Sequence, residues 1–131
     1  MNANTPLRRI AHELYPGFSA AVVVPLGAKS MIYLSGEIGR DQSGAVPGGF
    51  EGEARQCFMN IKQVLERSGA TFADVVRITA YLKDLGDYSV YAKVRSEVFG
   101  GNPPASATVA VADLLAGAKL EVDTVAVVAT A

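Results

Sequence analysis

The sequence predicts an α+β fold in which two helices pack on one face of a mixed β-sheet. Apolar runs with a two-residue period near both ends and in the middle of the chain indicate strands, and two intervening segments have helical spacing. The predicted order is strand, strand, helix, strand, helix, strand, strand, a ββαβαββ sandwich. A length of 131 residues fits one domain over residues 1–131, with residues 1–16 forming an irregular N-terminal segment.

The first two predicted strands form a hairpin. Residues 19–25 and 30–35 are rich in β-forming residues, and the four residues between them include Gly27. Residues 36–49 then contain five glycines and a proline, which indicates a loop. Because this loop directly follows a strand, we expect its backbone to contact a ligand.

Two amphipathic segments are predicted to be helices. In residues 50–68 the apolar side chains recur every three or four residues, and Gly69 suits the position after the helix end. The repeating apolar residues are Ala54, Cys57, Phe58, Ile61, Val64 and Leu65. Residues 87–99 form the second helix, which Gly100 and the prolines at 103 and 104 terminate.

The remaining strands are predicted at residues 75–82, 107–112 and 120–128. In the first of these, alternation assigns one face to the helices and the other to the opposite side of the sheet. The helix-facing set is Val76, Ile78, Ala80 and Leu82, and the opposite set is Arg77, Thr79 and Tyr81.

Composition excludes several classes of protein. Twelve basic residues balance thirteen acidic ones and are scattered, which argues against a nucleic-acid partner. The single cysteine, Cys57, rules out an internal disulfide, and without a second cysteine or a histidine cluster we predict no metal site. A polar start and short apolar stretches predict a cytoplasmic protein without a membrane partner. Half of the residues are hydrophobic and 19% are charged, so we expect apolar surface buried between subunits.

Glu121 is the most informative candidate site residue. It lies within the otherwise apolar strand 120–128, where a carboxylate needs a hydrogen-bond partner, a counter-charge or a raised pKa. Such a group is a candidate acid or base. The alternative is that Glu121 and Asp123 occupy the wet face of a half-exposed strand, and the sequence leaves both interpretations open.

Other polar residues give weaker signals. His12 is the only histidine, and no Ser-His-Asp set can be built around it. Residues 36–39 lack the glycine spacing of a nucleotide-binding loop, and Arg40 fits a solvated loop better than a carboxylate clamp. Three hydroxyls fall at strand ends or within strands: Ser35, Ser106 and Thr108. Tyr88 and Tyr91 have the spacing of packing residues.

Several motifs in a fixed order resemble the Rid family, the reactive intermediate deaminases or YjgF-like proteins. They are Leu-Ser-Gly-Glu-Ile at 34–38, Ser-Gly-Ala at 68–70, Ile-Thr-Ala-Tyr-Leu-Lys-Asp-Leu at 78–85, Pro-Ala-Ser at 104–106 and Leu-Glu-Val at 120–122. Together with the ββαβαββ order, the resemblance covers residues 17–128. It implies a chorismate-mutase-like fold of the bacillus type, assembled as a homotrimer with a cleft between each pair of subunits.

The resemblance also implies a chemistry. Active Rid proteins hydrolyse reactive imines or enamines, such as 2-aminoacrylate tautomers, to a keto acid and ammonia without a metal or an organic cofactor. In them an arginine after the Pro-Ala pair binds the substrate carboxylate, and a glutamate on the last strand holds the attacking water.

The family's site residues are carried over position by position. Glu121 matches the water-holding glutamate and is the predicted catalytic residue, whereas Ser106 stands where the arginine is expected. Phe18 occupies the place of a cleft tyrosine and Ala92 that of a helix asparagine. The predicted substrate-binding residues are Phe18, Ser35, Gly36, Glu37, Ser106 and Thr108.

The missing arginine matters because a serine cannot replace the two charge-assisted bonds of a guanidinium to a carboxylate. We therefore expect a Rid-like hydrolase of small imine or enamine metabolites with a non-standard substrate. The alternative is a non-catalytic metabolite-binding trimer. Ribonuclease activity or inhibition of translation is the weakest hypothesis, since the charge is balanced and there is no pair of histidines.

Overall fold

The computed structural model describes residues 6–131, which form one six-stranded sheet and two helices. The strands are β1 (Arg8–Ala11), β2 (Ser19–Leu26), β3 (Lys29–Ile38), β4 (Val75–Leu82), β5 (Ala105–Ala110) and β6 (Leu120–Ala129), and the helices are α1 (Phe50–Arg67) and α2 (Tyr88–Phe99). The strand order is β1-β2-β3-β6-β4-β5. Only β4 and β5 are parallel neighbours, and every other pair is antiparallel. The predicted α+β class with a mixed sheet is confirmed.

The strand β1 is a correction to the sequence analysis. Residues 8–11 pair with β2, where Ile10 lies opposite Ala21 and is buried. The prediction of an irregular segment over residues 1–16 is therefore wrong for residues 8–11, and its part at residues 1–5 lies outside the described residues. With one buried side chain in four residues, β1 has no alternation to detect, and its pairing with β2 fixes its conformation.

The hairpin of β2 and β3 is tighter and longer than predicted. Leu26 pairs with Lys29, so the turn consists of Gly27 and Ala28, and Gly27 has a φ of 70° that favours glycine. Strand β3 runs on to Ile38, past Gly36, where the sequence predicted a loop. Its pairing with β6 shifts register between Leu34 and Glu37, and this irregularity hides the strand from a simple alternation pattern.

The helices cover one face of the sheet. All six repeating apolar residues of α1 are buried, and Cys57 is a buried core residue as predicted. On β4, Ile78, Ala80 and Leu82 face the helices, but Val76 is 45% exposed and Val75 is buried in its place. The prediction for Val76 is wrong because the pairing of β4 with β6 shifts between Val75 and Arg77.

The other face of the sheet, on the side away from the helices, is half-buried to exposed in the single chain. We call it the open face; it carries Tyr33 and Ser35 of β3, Arg77, Thr79 and Tyr81 of β4, and Glu121, Asp123 and Val125 of β6. Tyr33 is 45% exposed there. Within residues 6–131, neither helix has the length and apolar character needed to cross a membrane.

Candidate functional site

Glu121 lies on the open face at the centre of the sheet. It pairs with Ile38 of β3 on one side and with Tyr81 of β4 on the other. Its side chain is half-buried, and this loss of hydration raises the pKa of the carboxyl, with a further increase from the charge of Asp123. A carboxyl whose pKa moves toward neutrality is better suited to exchange a proton with a substrate or a water.

The backbone of Gly36 closes over this carboxylate. A Cβ added at Gly36 would lie 2.5 Å from Oε2 of Glu121, so the missing side chain provides the room that the carboxylate occupies. The neighbouring Ser35 hydroxyl donates a 2.6 Å hydrogen bond to the carbonyl of Ser19. Ser35 thus holds β2 against the irregular part of β3, and Gly36 shapes the space around Glu121.

Tyr81 and Asp123 complete the polar group on the open face. The Tyr81 hydroxyl donates to Oδ2 of Asp123 at 2.9 Å, and this bond raises the pKa of the tyrosine. The alternation of β4 predicts Tyr81 on this face, but nothing in the sequence marks it as a site residue. The two-residue period that Tyr81 shares with Thr79 predicts its face of the sheet. Only the pairing of β4 with β6 places Tyr81 next to Glu121.

Ser106 and Thr108 lie on the other side of the sheet. They are on the edge strand β5, where they pair with Ile78 and Ala80, and paired residues point to the same face. Both partners face the helices and are buried. Within one chain the structure therefore separates Ser106 and Thr108 from Glu121 by the thickness of the sheet.

The side chains of α2 that approach Ser106 form an unusual arrangement. Tyr91 is fully buried, and its hydroxyl has no hydrogen-bond partner among residues 6–131. Burial raises the pKa of Tyr91, while the nearby Arg95 guanidinium and Ser106 hydroxyl lower it. Arg95 lies over two rings, 5.3 Å from the centroid of Tyr91 and 5.7 Å from that of Tyr88, and it donates to the Tyr88 hydroxyl at 3.3 Å.

Glu37 is also directed to the helix side, because the irregularity of β3 changes the face that its side chain takes. It is 8% exposed, and its Oε2 has no hydrogen-bond partner among the described residues. Burial raises the pKa of Glu37 to about 7, helped by the negative charges of Glu121 and Glu13. Glu37 is therefore close to half-protonated near neutral pH.

His12 is the neighbour of Glu37, at 3.9 Å between Nε2 and Oε2. The His12 Nδ1 accepts backbone N–H bonds from Leu14 at 3.0 Å and Tyr15 at 3.3 Å, so the neutral ring carries its proton on Nε2, on the side of Glu37. Burial lowers the pKa of His12. The sequence analysis missed this pair because the two residues are distant in the chain and only the sheet brings them together.

A cavity of about 720 Å³ opens beside this pair, between the segment after β1, the loop after β3 and α1. Arg40 and Arg67 line it together with Glu37 and His12. Arg40 donates to the carbonyl of Gly44 at 3.1 Å, so it is anchored within its loop rather than free in solvent.

Phe18 lies at the outer rim of the same region. It is 47% exposed, with ring centroids 5.0 Å from His12 and 5.6 Å from Tyr15. The predicted site residues thus form separate groups in one chain: Glu121 and Gly36 on the open face, Ser106 and Thr108 on β5, and Glu37 with Phe18 near His12. Among residues 6–131 no three His, Cys, Asp or Glu side chains are placed to hold a metal ion.

Comparisons with known proteins agree on one family. The family model described as Endoribonuclease L-PSP matches residues 12–128. The 2-iminobutanoate/2-iminopropanoate deaminase of Rattus norvegicus is 38% identical over 84% of this chain and 79% of its own length. Protein DfrA of Myxococcus xanthus is 42% identical over 84% of each chain. The crystal structure of RidA from Psychrobacter sp. superposes with a TM-score of 0.80 at 30% identity, covering 92% of this chain and 94% of that one.

Proposed function

Because the chain belongs to the Endoribonuclease L-PSP family, also called the Rid or YjgF family, we propose that it hydrolyses small imines or enamines to a carbonyl compound and ammonia. The observation that carries this proposal is the position of Glu121. Its carboxylate is half-buried, it fills the room left by the missing side chain of Gly36, and burial raises its pKa. The relatives named as 2-iminobutanoate/2-iminopropanoate deaminases support the same reaction class.

The proposed reaction needs only a proton acceptor and a bound water. Glu121 takes a proton from the water as the water oxygen bonds to the carbon of the C=N group, and it passes this proton to the nitrogen, which gives a neutral carbinolamine. Glu121 then takes the proton of the carbinolamine hydroxyl and gives it to the nitrogen as the C–N bond breaks. Ammonia leaves, the C=O group forms and the carboxylate is regenerated.

The proposed site forms between two copies of the chain. Glu121 is on the open face, whereas Ser106 and Thr108 are on the helix side of the edge strand, so one chain cannot bring them to the same substrate. A second copy packed on the open face can supply the missing half. We therefore propose a homotrimer that works in the cytoplasm, with its clefts at the subunit contacts.

Ser106 makes the substrate contacts of this protein different from those implied for the active family members. A neutral hydroxyl forms weaker hydrogen bonds to a carboxylate than a guanidinium does. We propose that Ser106 and Thr108 contact the substrate, that Gly36 and Ser35 border it and that Phe18 packs against its apolar part. Glu37 contributes from the helix side as a proton-exchanging carboxyl, because burial and the negative charges of Glu121 and Glu13 raise its pKa to about 7.

The test is ammonia release from 2-iminopropanoate, 2-iminobutanoate and uncharged imines. We expect Glu121→Gln to lower kcat by about 100-fold or more, because it removes the proton acceptor while keeping the shape. Glu66→Gln, on the exposed side of α1, is the control and should retain most of the activity. Equal rates for the protein and Glu121→Gln would contradict the proposal.

The same experiment separates the alternatives. If no imine is hydrolysed and a small metabolite still raises the melting temperature, the non-catalytic binding trimer replaces the deaminase. Cleavage of RNA by the same preparation would instead support the activity that the family description names.

A further inference from the structure

The cavity between α1, the loop after β3 and the segment after β1 is held in shape by side chains of the helix. The Asn60 amide donates to the carbonyls of Ile38 at 2.9 Å and Arg40 at 2.8 Å, which fixes the loop against α1. Arg67 donates to the carbonyl of Ala11 at 2.7 Å and so fixes the segment after β1. The volume of about 720 Å³ lies in the usual range of small-molecule sites. The cavity is thus a preformed part of the fold.

Glu37 presents this cavity with an acceptor that the protein leaves unused. It lines the cavity with only 10% of its side chain exposed, and its Oε2 has no hydrogen-bond partner among residues 6–131. His12 lies 3.9 Å away, but burial lowers its pKa and so disfavours the charged imidazolium. Burial and the negative charges of Glu121 and Glu13 raise the pKa of Glu37 to about 7. A cation that donates to the Glu37 carboxyl would offset both effects.

Arg40 presents a complementary pair of donors to the same cavity. Among residues 6–131 no carboxylate lies within 4 Å of its guanidinium, whereas the Arg67 guanidinium lies 3.9 Å from Glu13. The Arg40 guanidinium lies over the ring of Tyr15, 5.2 Å from its centroid, and its Nη1 donates to the carbonyl of Gly44 at 3.1 Å. These contacts fix the plane of the group and leave Nε and Nη2 for a ligand. Two neighbouring N–H groups of a guanidinium suit the two oxygens of a carboxylate.

We propose that this cavity is a second ligand site, which binds an α-amino acid with its ammonium group on Glu37 and its carboxylate on Arg40. The two side chains are near each other, because Arg40 lowers the pKa of His12, the neighbour of Glu37. A compound with one positive and one negative group satisfies both without adding net charge to the cavity. The amides of Gln56 and Gln63 also line it and favour a ligand with a polar side chain.

This site is separate from that of the proposed reaction. The cavity is on the helix side of the sheet, whereas Glu121 is on the open face. Ser106 is on β5, at the opposite edge of the sheet from β1. An amino acid in the cavity is therefore a ligand of its own and not the substrate at Glu121, and its binding can be measured whether or not the protein hydrolyses imines.

Titration calorimetry with L-asparagine and L-glutamine tests this site. We expect binding, and we expect Glu37→Gln and Arg40→Gln each to weaken it by about 10-fold or more, because each variant loses a charge-assisted hydrogen bond. Arg55→Gln and Glu66→Gln remove one cation and one acid from the exposed side of α1. They are the matched controls and should bind as the unaltered protein does.

Two analogues assign the two ends of the amino acid. L-Glutamine amide lacks the carboxylate and N-acetyl-L-glutamine lacks the ammonium group, so the unaltered protein should bind each about 10-fold more weakly or worse. Arg40→Gln should no longer distinguish L-glutamine from its amide. Glu37→Gln should no longer distinguish L-glutamine from the N-acetyl compound.

Three results would overturn the proposal: no binding of either amino acid, binding that neither Glu37→Gln nor Arg40→Gln weakens, or loss of binding in Ser106→Trp. The last result would place the amino acid in the cleft at β5 instead. A melting curve of each variant separates the loss of the site from the loss of the fold, and Arg40, on a loop, tests the site even if a variant at Glu37 does not fold.

Discussion

Glu37 carries a carboxyl into the helix side of the sheet without giving its Oε2 a partner. Three groups with titratable or charged side chains act on it there: His12 from the N-terminal segment, Glu121 from β6 and Glu13. Raising its pKa from 4.5 to about 7 corresponds to about 3 kcal/mol of free energy that opposes its ionisation in the folded state. The folded protein therefore favours the protonated, neutral form of Glu37.

The free energy of unfolding should fall as the pH rises from 4.5 to about 7, between the pKa values of Glu37 in the unfolded and folded states. The unfolded chain releases this proton near pH 4.5 and the folded chain near pH 7, so the folded state binds more protons between these values and loses stability as the pH increases. Above pH 7 the contribution of Glu37 is constant. His12, with a lowered pKa, has the opposite effect and reduces stability as the pH falls below 6.5.

We predict that Glu37→Gln flattens this dependence. Urea unfolding should show the variant gaining stability over the unaltered protein by up to about 3 kcal/mol at pH 8 and by only about 1 kcal/mol at pH 5.5. An equal difference at both values would mean that ionisation of Glu37 is not responsible.

Some candidate site residues could be identified from the sequence and others only from the structure. Glu121 was predictable because a carboxylate interrupts an apolar strand, and Ser106 because it follows a recognisable Pro-Ala pair. The pairing of His12 with Glu37 was not, since it depends on β1 pairing with β2 and on the irregularity in β3.

The strand that carries Glu121 is fixed at its start by helix α1. Glu53 is fully buried, and its Oε2 accepts backbone N–H bonds from Lys119 at 2.6 Å and Leu120 at 3.1 Å. The Lys119 ammonium lies 3.8 Å from the other carboxylate oxygen. This carboxylate joins α1 to the first residues of β6, immediately before Glu121.

We predict that Glu53→Ala destabilises the protein by about 2–5 kcal/mol, because it leaves two backbone donors without partners and opens a space in the core. Glu53→Gln keeps an accepting oxygen and should cost less. The control is Glu51→Ala on the exposed side of the same helix, whose solvent-screened ion pairs should contribute little to stability. Chemical denaturation measures all three, and a similar effect of Glu51→Ala and Glu53→Ala would contradict this account of β6.

At the scale of whole elements, regular segments were predicted well and irregular ones were not. Helix α1 follows its period closely, and the predicted bounds of α1 and of strand β4 agree with the structure to within one residue. Strand β1 is too short to show a period. The register shifts in β3 and β4 change the side that Glu37 and Val76 face, and such shifts are set by the partner strand rather than by local sequence.

The molecule as a whole has one sheet face protected by helices and one that is not. The open face carries Tyr33 and Val125 next to each other on paired strands, near the polar group of Glu121 and Asp123. Apolar side chains on a sheet face that is only half-buried in the single chain are typical of a subunit interface, in keeping with the hydrophobic composition. This is the face that the proposed trimer covers.

We predict that light scattering gives a mass three times the 13.7 kDa of one chain. Tyr33→Glu should dissociate the assembly and abolish activity, because it places a charge in the proposed interface. Met59→Glu is the matched control, since Met59 is 49% exposed on α1, away from the open face. A monomeric parent protein with full activity would refute the assembly.

The placement of Glu121 and Ser106 on opposite faces of the sheet gives the proposed assembly a genetic consequence. In the proposed ring each cleft takes Glu121 from one subunit and Ser106 from the next. A ring that mixes Glu121→Gln subunits with subunits blocked by Ser106→Trp contains one junction where both partners contribute their unaltered half. Two inactive alleles should then complement each other within one assembly, with about one working cleft in three.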